Sequence, residues 1–252
     1  MFKTIHDCAV TMVSYSINNT GHEADLESMD FAPVSAARVS FAKEHATGTD
    51  KERDIKLLNY LAEHEHLTPF EYQHATFLIE CPLFIRSQIH RHRTFSYNEI
   101  SRRYTSENLE FWIPDKWRKQ SKSNKQASTD EYVQQYDVVE SLGWEKDEND
   151  IPRRQGTRNN VDPFIKWKYQ CYNAWHCYED YLESGVCREQ ARAVLPQSLL
   201  TRFYMGGVLR NWVHFIRLRK DSHAQYEVRV IAEKIERELR KLWPMSMKAL
   251  LS

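Results

Sequence analysis

Apolar runs separated by polar turns predict strands and helices in alternation along most of the chain. CAVTMVSYSI at 8–17 and HATFLIEC at 74–81 are rich in β-branched and aromatic residues, which predicts two strands. SLLTRFYMGG at 198–207 predicts a third strand. Because helical segments lie between these strands, the pattern indicates a mixed architecture.

Helical periodicity predicts the remaining elements and is clearest near the C-terminus. Apolar residues in SHAQYEVRVIAEKIERELRKLW recur in steps of three and four, which places them on one buried stripe of a helix. They are Val228, Ile231, Ile235, Leu239 and Leu242. Further helices are predicted at 31–46, 51–66, 82–93, 162–184, 187–195 and 208–219.

Residues at the ends of several predicted helices support these assignments. Asp50 is placed to cap the helix predicted at 51–66, and Gly185 lies just past the end of the helix predicted at 162–184. Pro82 and Pro163 each suit the first turn of a helix.

Residues 116–160 differ in character from the rest of the chain. They are charged, rich in turn residues and almost free of aliphatic side chains, which is typical of an insertion or flap. A solvated surface loop and a lid over a site both remain open, and one short helix is predicted near EYVQQYDVVESL. The fold class predicted is α+β, helix-rich, with a mixed or antiparallel sheet flanked by helices. We expect a single domain over 1–252 that contains this insertion.

Composition narrows the class of protein. Lys and Arg together number 35, as do Asp and Glu, so the net charge is near zero. A general nucleic-acid coat would be basic overall, and the balance argues against one. No stretch approaches the ~20 apolar residues of a membrane span, and the N-terminus does not resemble a signal peptide. We expect a protein that binds neither nucleic acid nor membrane.

Cysteine usage indicates an intracellular compartment. The odd number and wide spacing of the five cysteines favour reduced thiols in the cytoplasm, or in the host cytoplasm if the chain is virus-encoded. They are Cys8, Cys81, Cys171, Cys177 and Cys187. Cys8, Cys81 and Cys171 have apolar surroundings that are typical of inert core thiols. Cys187 has Arg188 beside it at a helix start, which favours a thiolate only weakly. None of the five is therefore a persuasive nucleophile.

The stretch RHRTFSYNEISRRY at 91–104 concentrates positive charge. Its arginines are Arg91, Arg93, Arg102 and Arg103, and they repel one another unless an anion lies among them. Arginine presents a planar fork of donors that suits phosphate or the imide edge of a pyrimidine. Glu99 adds an acceptor for a hydroxyl such as that of a ribose, and Ser101 adds a hydroxyl for phosphate. The sequence predicts a nucleotide-sized site built from side chains, because it contains no glycine-rich phosphate loop.

Other interpretations of these residues remain open. A solvated basic surface, or ion pairs with the protein's own carboxylates, would also account for the arginines. A second set lies far away in the sequence and consists of Arg192, Arg210, Arg217 and Arg219. A non-catalytic nucleotide- or RNA-binding module would use the same arginines with exposed aromatic residues. HEH at 64–66 and HRH at 90–92 resemble fragments of a metallohydrolase site, although zinc needs three or four ligands and neighbouring arginines repel a dication.

Five blocks of sequence resemble the flavin-dependent thymidylate synthase family. RHR followed after seven residues by Ser101 is similar to the family's signature. The blocks AARVSF (36–41), HLTPFEY (66–72), RHRTFSYNEISRRY (91–104), ARAVLPQSLLTRF (191–203) and LRKDSHAQYE (218–227) follow the family's order. Together they frame most of the chain, whereas residues 116–160 lie outside the match.

The resemblance implies a reaction, its cofactors and an assembly. It implies a methyltransferase that converts dUMP to dTMP, with methylenetetrahydrofolate as the carbon donor. NADPH would reduce a bound FAD, and the reduced flavin would provide the hydride. The family works as a homotetramer with sites shared between subunits and uses no cysteine nucleophile, in agreement with the lack of a persuasive thiol.

The resemblance also implies roles for individual residues. The flavin cofactor would be contacted by Thr68, Arg91, His92, Arg93, Glu99, Arg210 and His214. The substrates would be bound by Gln88, Arg91, Glu99, Ser101, Arg102, Arg103, Arg192, Arg219 and His66. Among these, Arg192 would reach the nucleotide from another subunit, and His66 would lie on the folate and nicotinamide side of the flavin. Arg219 would be the catalytic cation against the uracil ring.

Three positions depart from the family's pattern. Arg102 stands where many members have glycine after the signature serine, so its contact would come through backbone N–H. Val208 and His214 stand where asparagines often face FAD. His214 keeps a hydrogen-bonding group there, whereas Val208 cannot replace an amide.

Overall fold

The computed structural model describes residues 3–16, 29–43, 47–125, 128–133 and 163–252, and the backbone of 144–146 and 152–154. The chain divides into two compact units, each assembled from three segments. The sheet unit comprises Cys8–Glu80, Gln88–Glu99 and Arg202–Ser252. The long-helix unit comprises Met1–Asp7, Cys81–Ser87 and Ile100–Thr201.

Strands and helices alternate as the hydrophobic pattern indicates. The strands are β1 Lys3–Ile5, β2 Ala9–Tyr15, β3 His74–Pro82, β4 Ser96–Glu99, β5 Glu110–Trp112, β6 Arg118–Gln120, β7 Ser128–Tyr132, β8 Trp144–Lys146, β9 Pro152–Arg154 and β10 Leu200–Val208. The α-helices are α1 Ala32–Val39, α2 Lys51–Glu63, α3 Leu83–Ile89, α4 Pro163–Glu183, α5 Arg188–Ala191, α6 Leu209–Lys220, α7 Tyr226–Leu242 and α8 Pro244–Leu250. Short 3-10 helices cover Thr68–Glu71 and Arg192–Val194.

The sheet unit is organised around a four-stranded sheet in the order β2-β3-β10-β4. β2 pairs antiparallel with β3, and β10 pairs antiparallel with β4, with Phe203 opposite Glu99. Alternate residues of β3, among them Ala75 and Phe77, are fully buried, which is the period-two pattern of a half-buried strand. The predicted strand segments are thereby confirmed.

Helices α6 and α7 cover the buried side of this sheet. Trp212 of α6 is fully buried, and its Nε1 donates to the carbonyls of Ala75 (3.2 Å) and Gly207 (3.0 Å). The helix is therefore bonded to two strands at once. α7 packs against α6 and β2, and its predicted apolar stripe is buried from Val228 to Leu242. The position of α6 is thus set by the sheet.

The long-helix unit packs its own core against α4. The core residues are Leu109, Phe111, Cys171, Tyr178, Ala191, Leu195 and Leu199. Pro163 begins α4, and Gly185 follows its end with φ +84, a conformation that glycine adopts without steric cost. β1 and β5 pair in parallel, with Thr4 opposite Phe111. Both roles of Pro163 and Gly185 agree with the sequence prediction.

The observed architecture confirms the predicted fold class and corrects several element boundaries. Pro82 ends β3 instead of starting a helix, because the strand continues one residue beyond the segment predicted at 74–81. The helix that follows begins at Leu83. The helix that Asp50 caps ends at Glu63, since Glu65 takes a positive φ of 55. The helix predicted at 31–46 ends at Val39. The single domain with an insertion at 116–160 stays a prediction.

Other parts of the prediction were wrong or lie outside the described residues. Of the helix predicted at 131–142, the first two residues belong to strand β7, and residues 134–142 lie outside the described part of the chain. The last long helix begins at Tyr226, after a turn at 221–225. β1, β5 and α8 are too short for their patterns to predict them.

Gly207 generates a test of the packing between β10 and α6. A Cβ at this position would lie 2.5 Å from Cδ1 of Phe95, whose ring is buried with its centroid 4.5 Å from that of Trp212. We expect Gly207→Ala to lower the free energy of unfolding by roughly 1–3 kcal/mol, because the buried Phe95 ring or the backbone of β10 must shift to accept the added Cβ. Urea unfolding measures this change.

Gly206 provides the matched control for this substitution. A Cβ at Gly206 would meet Oγ1 of Thr76 at 3.0 Å, a milder contact with a half-buried side chain. Gly206→Ala should therefore cost less stability than Gly207→Ala. An equal or larger loss in the control would contradict the packing described for Phe95.

Candidate functional site

The RHR motif forms a turn that buries its histidine and exposes its arginines. α3 ends at Ile89, and the chain then turns so that Arg91 N donates to the carbonyl of Gln88 at 3.3 Å. His92 is 8% exposed, whereas Arg91 and Arg93 are exposed. Within the described residues neither guanidinium has an ion-pair or hydrogen-bond partner. The motif therefore presents two unpaired cations on either side of a buried imidazole.

Tyr97 of β4 holds this turn from inside. Its hydroxyl lies 2.9 Å from the carbonyl of His92 and 3.1 Å from that of Ile89. Burial raises the pKa of Tyr97 to about 12, so the hydroxyl keeps its proton and acts as a donor. Both ends of the turn are thus tied to one side chain of the sheet.

Arg219, in the last turn of α6, is bonded to the same turn. Its Nε donates to Nε2 of His92 at 2.9 Å, and its Nη2 donates to the carbonyl of Gln88 at 3.0 Å. The helix dipole favours a cation at this end. Burial lowers the pKa of Arg219, but a guanidinium stays protonated in proteins. The predicted catalytic arginine is therefore held at two points.

Burial keeps His92 neutral, and its hydrogen bond with Arg219 fixes which ring nitrogen carries the proton. Burial, followed by the charges of Arg219 and His214, lowers the pKa of His92 to about 4. The imidazole is therefore neutral at physiological pH, and since Nε2 accepts, its proton lies on Nδ1. Two of the five N–H groups of Arg219 face His92 and Gln88, which leaves N–H groups on both terminal nitrogens for a ligand.

The predicted flavin-side residues other than those of the RHR turn also belong to the sheet unit. The ring of His214 lies 6.2 Å from that of His92, and His214 is exposed. Arg210 pairs with Glu71 at 2.5 Å, at the end of the 3-10 helix that Thr68 begins. His66 lies two residues before Thr68, is exposed, and has its ring centroid 6.0 Å from that of Tyr60. Glu99 ends β4 and is half-buried. Val208 is the N-cap residue of α6 and offers no side-chain hydrogen bond there.

The predicted phosphate residues lie in the long-helix unit. Oγ of Ser101 accepts from the backbone N–H of Arg103 at 3.3 Å. Nη2 of Arg103 lies 3.6 Å from a carboxylate oxygen of Glu189, and Nε of Arg192 donates to the carbonyl of Glu189 at 3.3 Å. Both arginines are exposed, and the pair with Glu189 is therefore worth little. An anion of higher charge would compete for both guanidiniums.

Arg102 has a structural role that the sequence did not predict. Its side chain is buried, and its terminal nitrogens donate to the carbonyls of Glu107 and, at 3.1 Å, Asn108. The guanidinium therefore closes the loop that follows the motif. A nucleotide contact of Arg102 would come from its backbone N–H, which stays a prediction.

Sequence reasoning missed Gln225 and Glu227 as neighbours of the site. Nε2 of Gln88 donates to Oε1 of Gln225, and Nε2 of Gln225 donates to Oε2 of Glu227 at 2.9 Å. Both residues belong to the block LRKDSHAQYE, whose similarity to the family assigns no role to either side chain. Only the fold brings them to Gln88, 137 positions away.

Three of the five cysteines are buried, and the residues that the structure describes contain neither a cluster placed to hold a metal ion nor a helix that could span a membrane. Cys8, Cys81 and Cys171 lie in the interior, as predicted for core thiols, and burial raises the pKa of Cys171. Among the described residues, no group of three or more His, Cys, Asp or Glu side chains is placed to hold a metal ion. The helices in the described ranges are too short or too polar to cross a bilayer.

Taken together, these features define an α+β protein that presents exposed arginines in each of its two units, in the sheet unit on either side of a buried neutral imidazole. The family model for thymidylate synthase complementing protein (Thy1) matches residues 25–245. The flavin-dependent thymidylate synthase of Thermosipho africanus is 37% identical over 232 residues, covering 90% of this chain and 88% of the relative. That of Thermus thermophilus is 37% identical over 220 residues, covering 87% of this chain and 71% of the relative.

Solved structures agree with this assignment. The UMP/dUMP methylase PolB from Streptomyces cacaoi bound with 5-Br dUMP has a TM-score of 0.75 and 28% sequence identity, covering 99% of this chain and 97% of that one. The chain belongs to the flavin-dependent thymidylate synthase family. The resemblance found in the sequence is confirmed, and membership favours an enzyme over a non-catalytic nucleotide-binding module.

The depressed pKa of His92 generates a pH-dependent test. Because the folded pKa of about 4 lies below the ordinary value of 6.5, protonation favours the unfolded chain. The contribution is fully present above pH 6.5 and is lost as the pH falls through about 4. His92→Gln keeps an acceptor for Arg219 and does not titrate. Between these pH values the wild type should lose roughly 2–3 kcal/mol more unfolding free energy than His92→Gln.

Urea unfolding of both proteins across this pH range makes the comparison. The carboxylates that dominate acid unfolding are the same in the two chains, so their effect cancels in the difference. Parallel pH profiles would show that His92 is not a buried neutral imidazole.

Proposed function

We propose that this chain converts dUMP to dTMP, with methylenetetrahydrofolate as the carbon donor and NADPH-reduced FAD as the hydride source. The observation that supports this most strongly is Arg219, whose guanidinium is held by His92 and Gln88 and keeps N–H groups on both terminal nitrogens for a ligand. Membership of the flavin-dependent thymidylate synthase family supplies the reaction type. The nucleotide carried by the Streptomyces cacaoi structure supports a uridine monophosphate substrate.

Arg219 is proposed to activate the pyrimidine ring. C5 of uracil becomes nucleophilic when electron density moves from N3 and the carbonyls through the ring. A cation against the imide edge stabilises the negative charge that builds up there. A guanidinium presents two parallel donors to that edge and is fixed before the ligand arrives, so little reorganisation accompanies the reaction.

The residues of the RHR turn fit a flavin dinucleotide. Arg91 and Arg93 are exposed cations without partners among the described residues, which suits the charge of a pyrophosphate. Arg210, Thr68 and His214 are exposed polar groups of the same unit and would hold other parts of the cofactor. When bound, FAD supplies the hydride that turns a transferred methylene group into a methyl group. His66 is proposed to contact the folate or nicotinamide co-substrate.

Ser101, Arg103 and Arg192 are proposed to bind the phosphate of dUMP. Their hydroxyl and two exposed guanidiniums carry the donors that a dianion needs. Arg192 would serve a neighbouring subunit's nucleotide, in a cytoplasmic homotetramer with shared sites. Gln88 and Glu99 would contact the nucleoside.

One anaerobic experiment tests the proposed function directly. Purified protein loaded with FAD is reduced with NADPH, and the loss of flavin absorbance is followed. Addition of dUMP and methylenetetrahydrofolate should restore the absorbance and form dTMP in equal amount. Flavin reduction without any dTMP, with both substrates saturating, would contradict the proposal.

Replacement of Arg219 tests its assigned role. Loss of one preorganised donor group typically costs on the order of 10²–10³ in rate. Arg219→Ala should keep its fold and its FAD, still be reduced by NADPH, and form dTMP at least ~100-fold more slowly. Arg219→Lys should restore little, because an ammonium cannot make the two parallel contacts. Near-normal turnover of Arg219→Ala at saturating dUMP would return this residue to a structural role.

Arg217 offers a matched control on the same helix. Its Nη2 donates to the carbonyl of Leu250, so the side chain is occupied by the C-terminal segment. Arg217→Ala should lower stability and leave dTMP formation within about twofold once folded. A comparable loss of rate in both variants would indicate a general effect of losing an arginine from α6.

Subunit mixing tests the proposed sharing of sites. Arg103→Ala and Arg192→Ala should each be inactive because each loses a phosphate-binding cation. If the two arginines of one site come from different subunits, random exchange leaves about a quarter of the sites intact, and activity returns on mixing. No recovery despite demonstrated exchange would show that both arginines act within one subunit, as their common contact with Glu189 allows.

A further inference from the structure

Gln88 is connected to a buried carboxylate through a second amide. Its Nε2 donates to Oε1 of Gln225, whose own Nε2 donates to Oε2 of Glu227 at 2.9 Å. Glu227 is 7% exposed, whereas Gln88 and Gln225 are half-buried. The three side chains form a linear series of hydrogen bonds that we call the amide relay.

Chemistry fixes the direction of every bond in the amide relay. A carboxylate only accepts hydrogen bonds, and Glu227 supplies one from the first turn of α7. Gln225 must therefore turn its NH₂ group toward Glu227 and its oxygen toward Gln88. Gln88 must then turn its own NH₂ group toward Gln225. The orientation of both amides follows from Glu227.

The side chain of Gln225 is available for this arrangement. Gln225 is the N-cap residue of α7, but its side chain makes no capping hydrogen bond. Its backbone carbonyl alone accepts the first helical bonds, from Val228 and Arg229 at 3.1 Å each. The amide is therefore committed to Gln88 and Glu227 and not to the end of the helix.

Gln88 is the point at which the amide relay meets the candidate site. Its backbone carbonyl accepts from Nη2 of Arg219 at 3.0 Å and from the backbone N–H of Arg91 at 3.3 Å. In the part of the chain that the structure describes, Oε1 of Gln88 has no hydrogen-bond partner. A fixed amide would direct this oxygen, and its remaining N–H, away from Gln225.

We propose that Glu227 and Gln225 are positioning residues that hold Gln88 in one amide orientation, with Oε1 ready to accept from a donor of the nucleotide. The inference rests on the proposed function for the identity of that ligand. Glu227 does not touch the substrate in this proposal and acts only through the two amides. Its effect is therefore on dUMP affinity, and the rate at saturation depends on it weakly.

Exchanging the side chains of residues 225 and 227 distinguishes a positioning role of Glu227 from a role in packing alone, because the exchange conserves net charge. In Glu227→Gln, residue 227 either accepts or donates, so neither amide of the relay keeps a unique orientation. In the double variant Gln225→Glu with Glu227→Gln, the carboxylate at 225 accepts from both neighbours. Gln88 then again presents its NH₂ group to residue 225, as in the wild type. Net charge is the same in the wild type and the double variant.

Calorimetric titration of the FAD-loaded proteins with dUMP, beside KM and kcat, tests the proposal. Glu227→Gln should weaken dUMP binding by about fivefold and raise KM equally, with kcat within about twofold. The double variant should return the affinity to within about twofold of wild type. Glu233→Gln, which removes an exposed carboxylate from the same helix, should bind as wild type does.

Two results would overturn the positioning role. One is wild-type affinity in Glu227→Gln, and the other is a double variant that binds no better than Glu227→Gln. If Glu227→Gln does not fold, the affinity of the double variant alone decides between the outcomes. A wild-type protein that neither binds dUMP nor forms dTMP would instead refute the proposed function.

Discussion

The candidate site depends on one hydrogen bond, from Nε of Arg219 to Nε2 of His92. The bond is 2.9 Å long and exists only while the imidazole is neutral. Burial beside a guanidinium lowers the pKa of His92 to about 4, so the condition is met throughout the physiological range. A charged histidine among arginines would be unfavourable. The neutral ring of His92 instead accepts a hydrogen bond from Arg219 and orients that side chain.

This hydrogen bond fixes the conformation of the Arg219 side chain before a ligand binds. An arginine side chain carries about 2 kcal/mol of rotamer entropy, which is lost on binding if the side chain is mobile. Arg219 loses much of it on folding, because His92 and Gln88 hold two of its nitrogens. Arg103 differs, since its contact with Glu189 is long and exposed, and such pairs contribute at most about 1 kcal/mol. The side chain of Arg219 is therefore held in place before a ligand binds, whereas that of Arg103 can leave Glu189 for a ligand at little cost in free energy.

The sheet supplies the rigidity that this bond needs. Trp212 bonds α6 to two strands, and Tyr97 bonds the RHR turn to β4. Arg219 and His92 therefore belong to elements that are bonded to strands of the same sheet, β3 and β10 for α6 and β4 for the RHR turn. The amide relay adds a third support, which reaches Gln88 from the start of α7.

The sequence predicted the elements with strong periodicity and the residues that a motif carries. The stripe from Val228 to Leu242 and the strand at 74–81 follow from local patterns, and the arginines of the RHR motif follow from their spacing. Contacts between distant segments could not be predicted, because no local pattern encodes which side chains meet. The hydrogen bond between Arg219 and His92 joins residues 127 positions apart. No local pattern around Arg102 indicates that its guanidinium binds the backbone carbonyls at 107–108.

The protonation state of His92 can be observed directly by nitrogen NMR of the imidazole. The account predicts a neutral ring at about pH 5.5, where an ordinary histidine is mostly charged, with the proton on Nδ1 and Nε2 accepting from Arg219. A charged imidazolium at that pH, or a neutral ring with its proton on Nε2, would contradict it.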